Sequence, residues 1–412
     1  MALNLLSNTS RVEVPFIKVS IGDYVFGVYS QSKKFNSGSD IFGSYKTNSV
    51  NFPNFVKSLD IDKVNGQVNQ YSLVLEYTIR ESDDPNFFEK VFGKVADGRD
   101  ITFSYGDMSN PIYTYKDEQA IITKVKSDID ISANKITYRV KAVSKGNLTT
   151  VIKYPYFKER FEKPSNIIRE LLYNRTDTGL LDIFYGMRNG DSLNGEQLIP
   201  DDDIEVQIDA KTNMSAMEYL KYLVNLMQPK STVGETMKDE LYILVFSDDI
   251  SNELSGPFFK IVKVQNKVQE SDAYEIIIGY QSKDAVLSFG IDDDEGYSIF
   301  YKYSQDVDTA DYIQRVNEKG QLEEVYAPKM TSGNDMYETR NEDKTWWTKI
   351  TSYPIKASIT IKGLLRPSIL MTHIRIRVLF FGKEHISSGL YIITKQHDSI
   401  NEQGFKTTLN LL

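Results

Sequence analysis

Along most of the chain the apolar positions recur with a period of two. Tyr71, Leu73, Leu75, Tyr77 and Ile79 fall on one face of a strand. Ile136, Tyr138, Val140 and Ala142 alternate with Thr137, Arg139 and Lys141, the pattern of an antiparallel strand buried on one side. The same alternation predicts strands over Val12–Ile21, Ile101–Tyr105, Gln119–Val125, Leu241–Phe246, Phe258–Val264 and Tyr274–Tyr280. It returns near the end over Ala357–Ile361, Ile374–Phe380, Leu390–Lys395 and Phe405–Leu411. Asn65-Gly66 and Gly106-Asp107 have turn chemistry and are expected to punctuate the strands.

Two segments switch to helical spacing. Pro164 suits a first turn, and Ile167, Ile168, Leu171 and Leu172 then form an apolar stripe. Ser215-Ala-Met-Glu218 is a capping box, in which the Ser oxygen and the Glu carboxylate each satisfy a backbone N–H. Met217, Leu220, Val224 and Met227 follow at helical spacing, and Pro229 ends the run. The methionines of that stripe read as core.

Two distant segments have the same order of parts. Ile101-Thr-Phe-Ser-Tyr-Gly106 leads to Ile121, Ile122, Thr123 and Lys124 and an alternating strand to Val143. Arg377-Val-Leu-Phe-Phe-Gly382 leads to Ile392, Ile393, Thr394 and Lys395 and an alternating strand to Leu412. An internal repeat of this kind implies two similar β-barrel units with other segments between them. The divisions expected are 1–154 for the first unit, 155–235 for a helix-containing linker and 236–298 for an inserted β-rich part. A polar excursion at 299–352 and the closing strands of the second unit at 353–412 complete the chain. Within the excursion, Ser304–Trp347 is charge-dense and ends at Trp346-Trp347, a pair suited to pinning it down.

Composition narrows the chemistry. The chain has 412 residues, no cysteine and three histidines, with a net charge of −9. The absence of cysteine removes disulfides and thiolate chemistry, and the acidic balance argues against binding that rests on phosphate neutralisation. His373, His385 and His397, with Glu384 or Asp398, form one metal candidate, but their spacing of twelve fits no compact zinc motif. Asp292-Asp293-Asp294-Glu295 lacks the alternation of a calcium loop and reads as a solvated acidic turn. Asp201–Asp203 reads the same way, ahead of a strand at Ile204–Ile208. Lys33-Lys34 and Lys153–Lys163 interleave basic and aromatic residues, a pattern suited to stacking single strands, but the second also carries acids and reads as a linker. No local signature selects a carboxylate pair for glycoside hydrolysis. Met1–Ser10 does not read as a secretory signal, so the sequons at Asn8, Asn147, Asn174 and Asn213 read as chance. No stretch is apolar enough to span a membrane as a helix.

The order of elements resembles the baseplate hub proteins of tailed bacteriophages and the related spike proteins of contractile injection systems. The resemblance rests on the Pro164–Leu172 helix, on Ser215–Leu226, on Ser-Gly-Leu-Tyr-Ile-Ile-Thr-Lys-Gln-His-Asp at Ser388–Asp398, and on Gly-Phe-Lys-Thr-Thr-Leu-Asn-Leu at Gly404–Leu411. Ser304–Trp347 has no counterpart in it. The resemblance implies a mainly β chain with α+β insertions and two tube-type β-barrel domains, assembling as a homotrimer into a pseudo-sixfold ring. It implies a structural adaptor in the virion tail, assembled in the host cytoplasm, between a sixfold tail tube protein and a threefold central spike protein. Other baseplate or tail-tip proteins would surround it, and DNA would pass its lumen without specific binding, repelled by acidic residues. It implies no catalytic residue, metal or cofactor and no membrane insertion. A host-surface carbohydrate-binding module and a carboxylate-dependent cell-wall hydrolase are the alternative functions.

Overall fold

Strands dominate, as the alternation predicts. The computed structural model describes residues 3–4, 15–22, 24–26, 51–52, 55–79, 93, 95–107, 115–151, 153–173, 199–201, 205–227, 240–247, 258–265, 274–279, 286–292, 302–303, 312–316, 322–326, 356–363, 370–385 and 387–411. Six strands make the first half: β1 (Pro15–Ile21), β2 (Val56–Val64), β3 (Gln70–Thr78), β4 (Asp100–Asp107), β5 (Tyr115–Asp130) and β6 (Lys135–Ser144). They pair antiparallel in the order β2-β3-β6-β5-β4-β1. The core face is buried at Ile17 and Val19, Leu59 and Ile61, Tyr71, Leu73 and Leu75, Ile101 and Phe103, Val140 and Ala142, and in β1 the other face is buried too, at Phe16 and Lys18. Side chains from β1 at one end and from β2 at the other share one core. The sheet therefore curls, although among the described residues its ladder does not close into a barrel.

Five strands make the second half: β7 (Val286–Asp292), β8 (Lys356–Lys362), β9 (His373–Phe380), β10 (Gly389–Asn401) and β11 (Gly404–Leu411). Their order is β7-β8-β11-β10-β9, again antiparallel, over a separate core of Ile359, Ile361, Ile374, Ile376, Ile393 and Leu409. Strand β10 also pairs with β2, so both halves belong to one sheet, which the short strands Leu3–Asn4, Tyr24–Phe26, Asn51–Phe52, Tyr274–Ile278 and Lys383–Glu384 bring to sixteen among the described residues.

The helical part has its own core. Helix α1 (Pro164–Tyr173) buries Ile167, Ile168, Leu171 and Leu172, the predicted stripe. Helix α2 (Ala216–Leu226) buries Met217, Leu220 and Val224 against it. The capping box is formed: the Glu218 N–H donates to Ser215 Oγ at 3.2 Å, and the Ser215 N–H donates to Glu218 Oε2 at 2.8 Å. The Ser215 backbone N–H first, and then the Ser215 hydroxyl, which donates to the same carboxylate oxygen at 2.8 Å, hold the Glu218 carboxyl below its ordinary pKa. Phe157 stacks on Tyr219 with ring centroids 3.7 Å apart. The antiparallel pair Glu240–Ser247 and Phe258–Gln265 supplies Tyr242, Leu244, Phe246, Phe259 and Ile261 to the same core.

Several expectations change. Gly106-Asp107 is no turn: both residues continue β4, opposite Phe16 and Pro15, because Gly106 can take a φ of 147° within the ladder. The excursion contains a small antiparallel sheet of Lys302–Tyr303, Tyr312–Val316 and Leu322–Tyr326. Trp346-Trp347, Lys33-Lys34 and Asp293–Glu295 lie outside the described residues. Among the described residues no helix is long and apolar enough to cross a membrane.

The β9 hairpin turns on Phe381 and Gly382, both left-handed at φ 53° and 77°, with Phe381 fully exposed. A bulky side chain is costly in that conformation and gains no packing here, whereas Asn-Gly suits such a turn. Phe381→Asn is expected to raise the unfolding free energy by about 1 kcal/mol, read as a shifted urea midpoint. Ser215→Ala, which removes the α2 cap, is expected to lower it by about 1 kcal/mol in the same measurement.

Candidate functional site

The two Ile-Ile-Thr-Lys segments sit in matching surroundings. In the first half Ile122 faces Ala142 and Lys124 faces Lys141, so Thr123 is an extra residue between them. In the second half Ile393 faces Leu411 and Lys395 faces Asn410, and Thr394 is the extra residue. Each bulged threonine donates its hydroxyl across the ladder at 3.2 Å, Thr123 to the Lys141 carbonyl and Thr394 to the Asn410 carbonyl. A β-bulge kinks a strand and increases its twist, so equal bulges bend both sheets at the same place.

The match extends beyond that motif. β2 is bulged between Val56 and Ser58 where it meets β3, and β7 between Val286 and Ser288 where it meets β8. A left-handed residue precedes the fifth strand of each order. Gly98, φ 77°, donates its N–H to the Ile122 carbonyl at 2.7 Å, and Met371, φ 62°, donates to the Ile393 carbonyl at 2.7 Å. Across the sheet Leu59, Leu73, Val140 and Val125 share one row, and Phe289, Ile359, Leu409 and Gln396 share the corresponding row. The ladders align Ile101 with Ile374 rather than with Arg377, because Ile101 faces Ala120 and Ile374 faces Tyr391. The order of parts read from sequence stands, and the first strand is displaced by three residues. The match stops at the next strand: β1 runs antiparallel to β4, but Tyr274–Ile278 runs parallel to β9.

Strand β10 is where the halves meet. Its first residues, Gly389–Ile392, pair with β9, and Lys395–Asn401 pair with β2 further along the same edge. β11 occupies the opposite edge. On the outward face Lys395 Nζ lies 2.9 Å from Asp62, and His397 Nδ1 lies 3.0 Å from the same carboxylate. Ser399 donates to Asp60 at 2.6 Å. Burial pushes the Asp62 carboxyl up, but hydrogen bonds from Lys395 and His397, with their charges, outweigh it and hold the group below its ordinary value.

The inward face carries a second polar set. Gln396, Asp398 and Thr407 are fully buried, and Asp398 accepts from Gln396 Nε2 at 2.7 Å and from the Thr407 hydroxyl at 2.6 Å. Nearby in the first core, buried Glu118 accepts from Tyr71 at 2.8 Å and from Tyr105 at 3.0 Å. Buried Lys63 sits over the Tyr105 ring, 5.9 Å from its centroid. Sequence reasoning missed these groups; the only available signal was a charged residue at an inward position of an alternating strand, as at Lys63 and Glu118.

The histidine candidate does not assemble. His373 opens β9 and is kept below its ordinary pKa by burial. His385 contacts Ser387 and the Phe380 ring, and His397 serves the joint. Among the described residues no three His, Asp or Glu side chains are grouped to hold a metal. Asp201 pairs with Arg169 at 2.7 Å, and Lys153–Lys163 forms the edges of two small sheets.

No family model matches this chain, and no curated protein matches it by sequence. In structure it is similar to tail proteins and to a type VI secretion system component. One is the tail protein from Neisseria meningitidis MC58, at 10% identity and TM-score 0.48, over 97% of this chain and 96% of that one. Another is the 43 kDa tail protein of prophage MuSo2 from Shewanella oneidensis, at 11% identity and TM-score 0.49, over 96% of each. A third is a type VI secretion system component from E. coli, at 10% identity and TM-score 0.43, over 87% of this chain and 73% of that one.

Asp62 titrates below its unfolded value of about 3.9, so the stability it contributes is complete above about pH 4 and lost as pH falls through the folded pKa. Asp62→Asn is expected to cost less than about 1 kcal/mol at pH 7, since the group is over a third exposed. The difference between the urea midpoints of the two proteins should shrink as pH falls through the folded pKa of Asp62, where the wild-type carboxyl also becomes neutral.

Proposed function

We propose that the chain is a structural hub of a phage-type tail, a homotrimeric ring that adapts a sixfold tail tube to a threefold central spike. The observation that carries this reading is the pair of matching half-sheets, with the same strand order, the same two bulges and the same left-handed entry residue. One chain then presents two tube-type β-barrel units, and three chains present six. The first unit occupies residues 1–154. The second takes four strands from 353–412 and its edge strand β7 from the segment before the excursion.

A ring built this way meets sixfold and threefold partners with one polypeptide. Its partners are the tail tube protein above, the spike protein below and neighbouring baseplate or tail-tip proteins, in the virion tail. The acidic balance of the chain disfavours adhesion of passing DNA. The protein needs no turnover, metal or cofactor for this task.

Negative-stain imaging and native mass measurement of the purified protein test the reading. The expected result is a trimer with a central opening and a near-sixfold outline that binds tail tube protein. A strictly monomeric chain that binds no tube protein at high concentration would overturn it.

A further inference from the structure

The chain fills at its own joint a kind of strand edge that, among the described residues, stays open at two other places. Strand β5 pairs with β4 over Tyr115–Ile121 and with β6 over Ala120–Asp130. Those ladders overlap, so they lie on opposite edges, and among the described residues the β4 side of β5 meets no strand beyond Ile122. In β10, the counterpart of β5, the same edge is filled by β2 over Lys395–Asn401. Strand β7, the counterpart of β2, pairs with β8 on one edge and among the described residues meets no strand on the other. Among the described residues the chain thus holds one unfilled socket and one unused insert of the kinds that fit together in its middle.

Exposure of the side chains agrees. At the internal joint Ile400 faces Leu59, and both are 0% exposed. Their counterparts by register are Ile129 and Phe289. Ile129 is 66% exposed and Phe289 is only partly covered. An isoleucine this bare on an open strand edge is a liability unless something covers it.

We propose that β7 of one copy pairs antiparallel with the second half of β5 in a second copy of this chain, in the register of the internal joint. Transferring that register places Ser288 opposite Asp130, Phe289 opposite Ile129, Gly290 opposite Asp128, Ile291 opposite Ser127 and Asp292 opposite Lys126. Unlike charges then face each other at Lys126 and Asp292, which favours this register. The contact is head-to-tail, because each copy offers one socket and one insert. Such contacts either close into a ring or run on as a filament. Closure rests on the hub reading above, whereas the pairing stands on the ladders.

The chain has no cysteine, so two introduced cysteines report this contact without background. Ile129→Cys and Phe289→Cys proteins are mixed in equal amounts, oxidised mildly and run on a denaturing gel without reductant. Directly opposed strand residues are at disulfide distance, so this pair should form covalent heterodimer roughly tenfold faster than the register-mismatched pair Ile129→Cys with Ile291→Cys. A double variant carrying both matched cysteines should give a ladder of multimers ending at the ring size. Equal or absent cross-linking in a preparation that native mass measurement shows to be oligomeric overturns the edge pairing and leaves the hub reading standing. A protein that stays monomeric at every concentration overturns both. Circular dichroism and thermal unfolding of each variant establish that it is folded.

Discussion

A strand edge is a row of backbone donors and acceptors that must be paired, covered or left in water. The whole architecture follows from how β10 spends its two edges. One edge holds β11 over Ile393–Asn401. The other is divided between β9 and β2, which come from different halves of the chain. That division makes one sheet out of two bent ones. It depends on the bulge at Thr394, which changes the direction of the strand just before it passes from β9 to β2.

The joint is apolar at its end and polar along its length. Ile400 against Leu59 excludes water, while the inward Asp398 and Gln396 occupy positions that an ordinary core would fill with aliphatic side chains. Buried polar groups add little net stability, but they penalise any register that leaves them unsatisfied. Asp398 finds Thr407 only when β10 and β11 are correctly paired, and Lys395 finds Asp62 only when β2 is in register. A shift of one residue along β2 would turn Lys63 outward and bring Asp62 into the core. The polar groups thus specify which pairing forms, and the aliphatic ones make it stable.

Much of this was legible in the chain. Period-two alternation located most of the strands, because burial of one face demands it, but not β2 or β7, and the capping box located the start of α2 because its two hydrogen bonds are local. The order of parts around Ile-Ile-Thr-Lys was legible for a similar reason: Thr123 and Thr394 each satisfy a carbonyl across a hairpin, so the motif and its structural role are neighbours in sequence. The alignment of the first strand was not. Aromatic-Gly at Gly106 and at Gly382 looks alike, but one lies within a ladder and the other at a hairpin turn.

What the sequence by itself determined is therefore local: the faces of most strands, the helix cap and the repeated order of parts around Ile-Ile-Thr-Lys. Only the tertiary structure decided that Asp62 would meet His397 across 335 positions, that Glu118 would be buried between two tyrosines, and that β7 would complete the second half from beyond the excursion. The physical reason is that alternation states which face of a strand is buried and is silent about its neighbour. The partner is selected by matching bulges, side-chain volumes and charges between segments far apart, and that match exists only once the chain has brought them together.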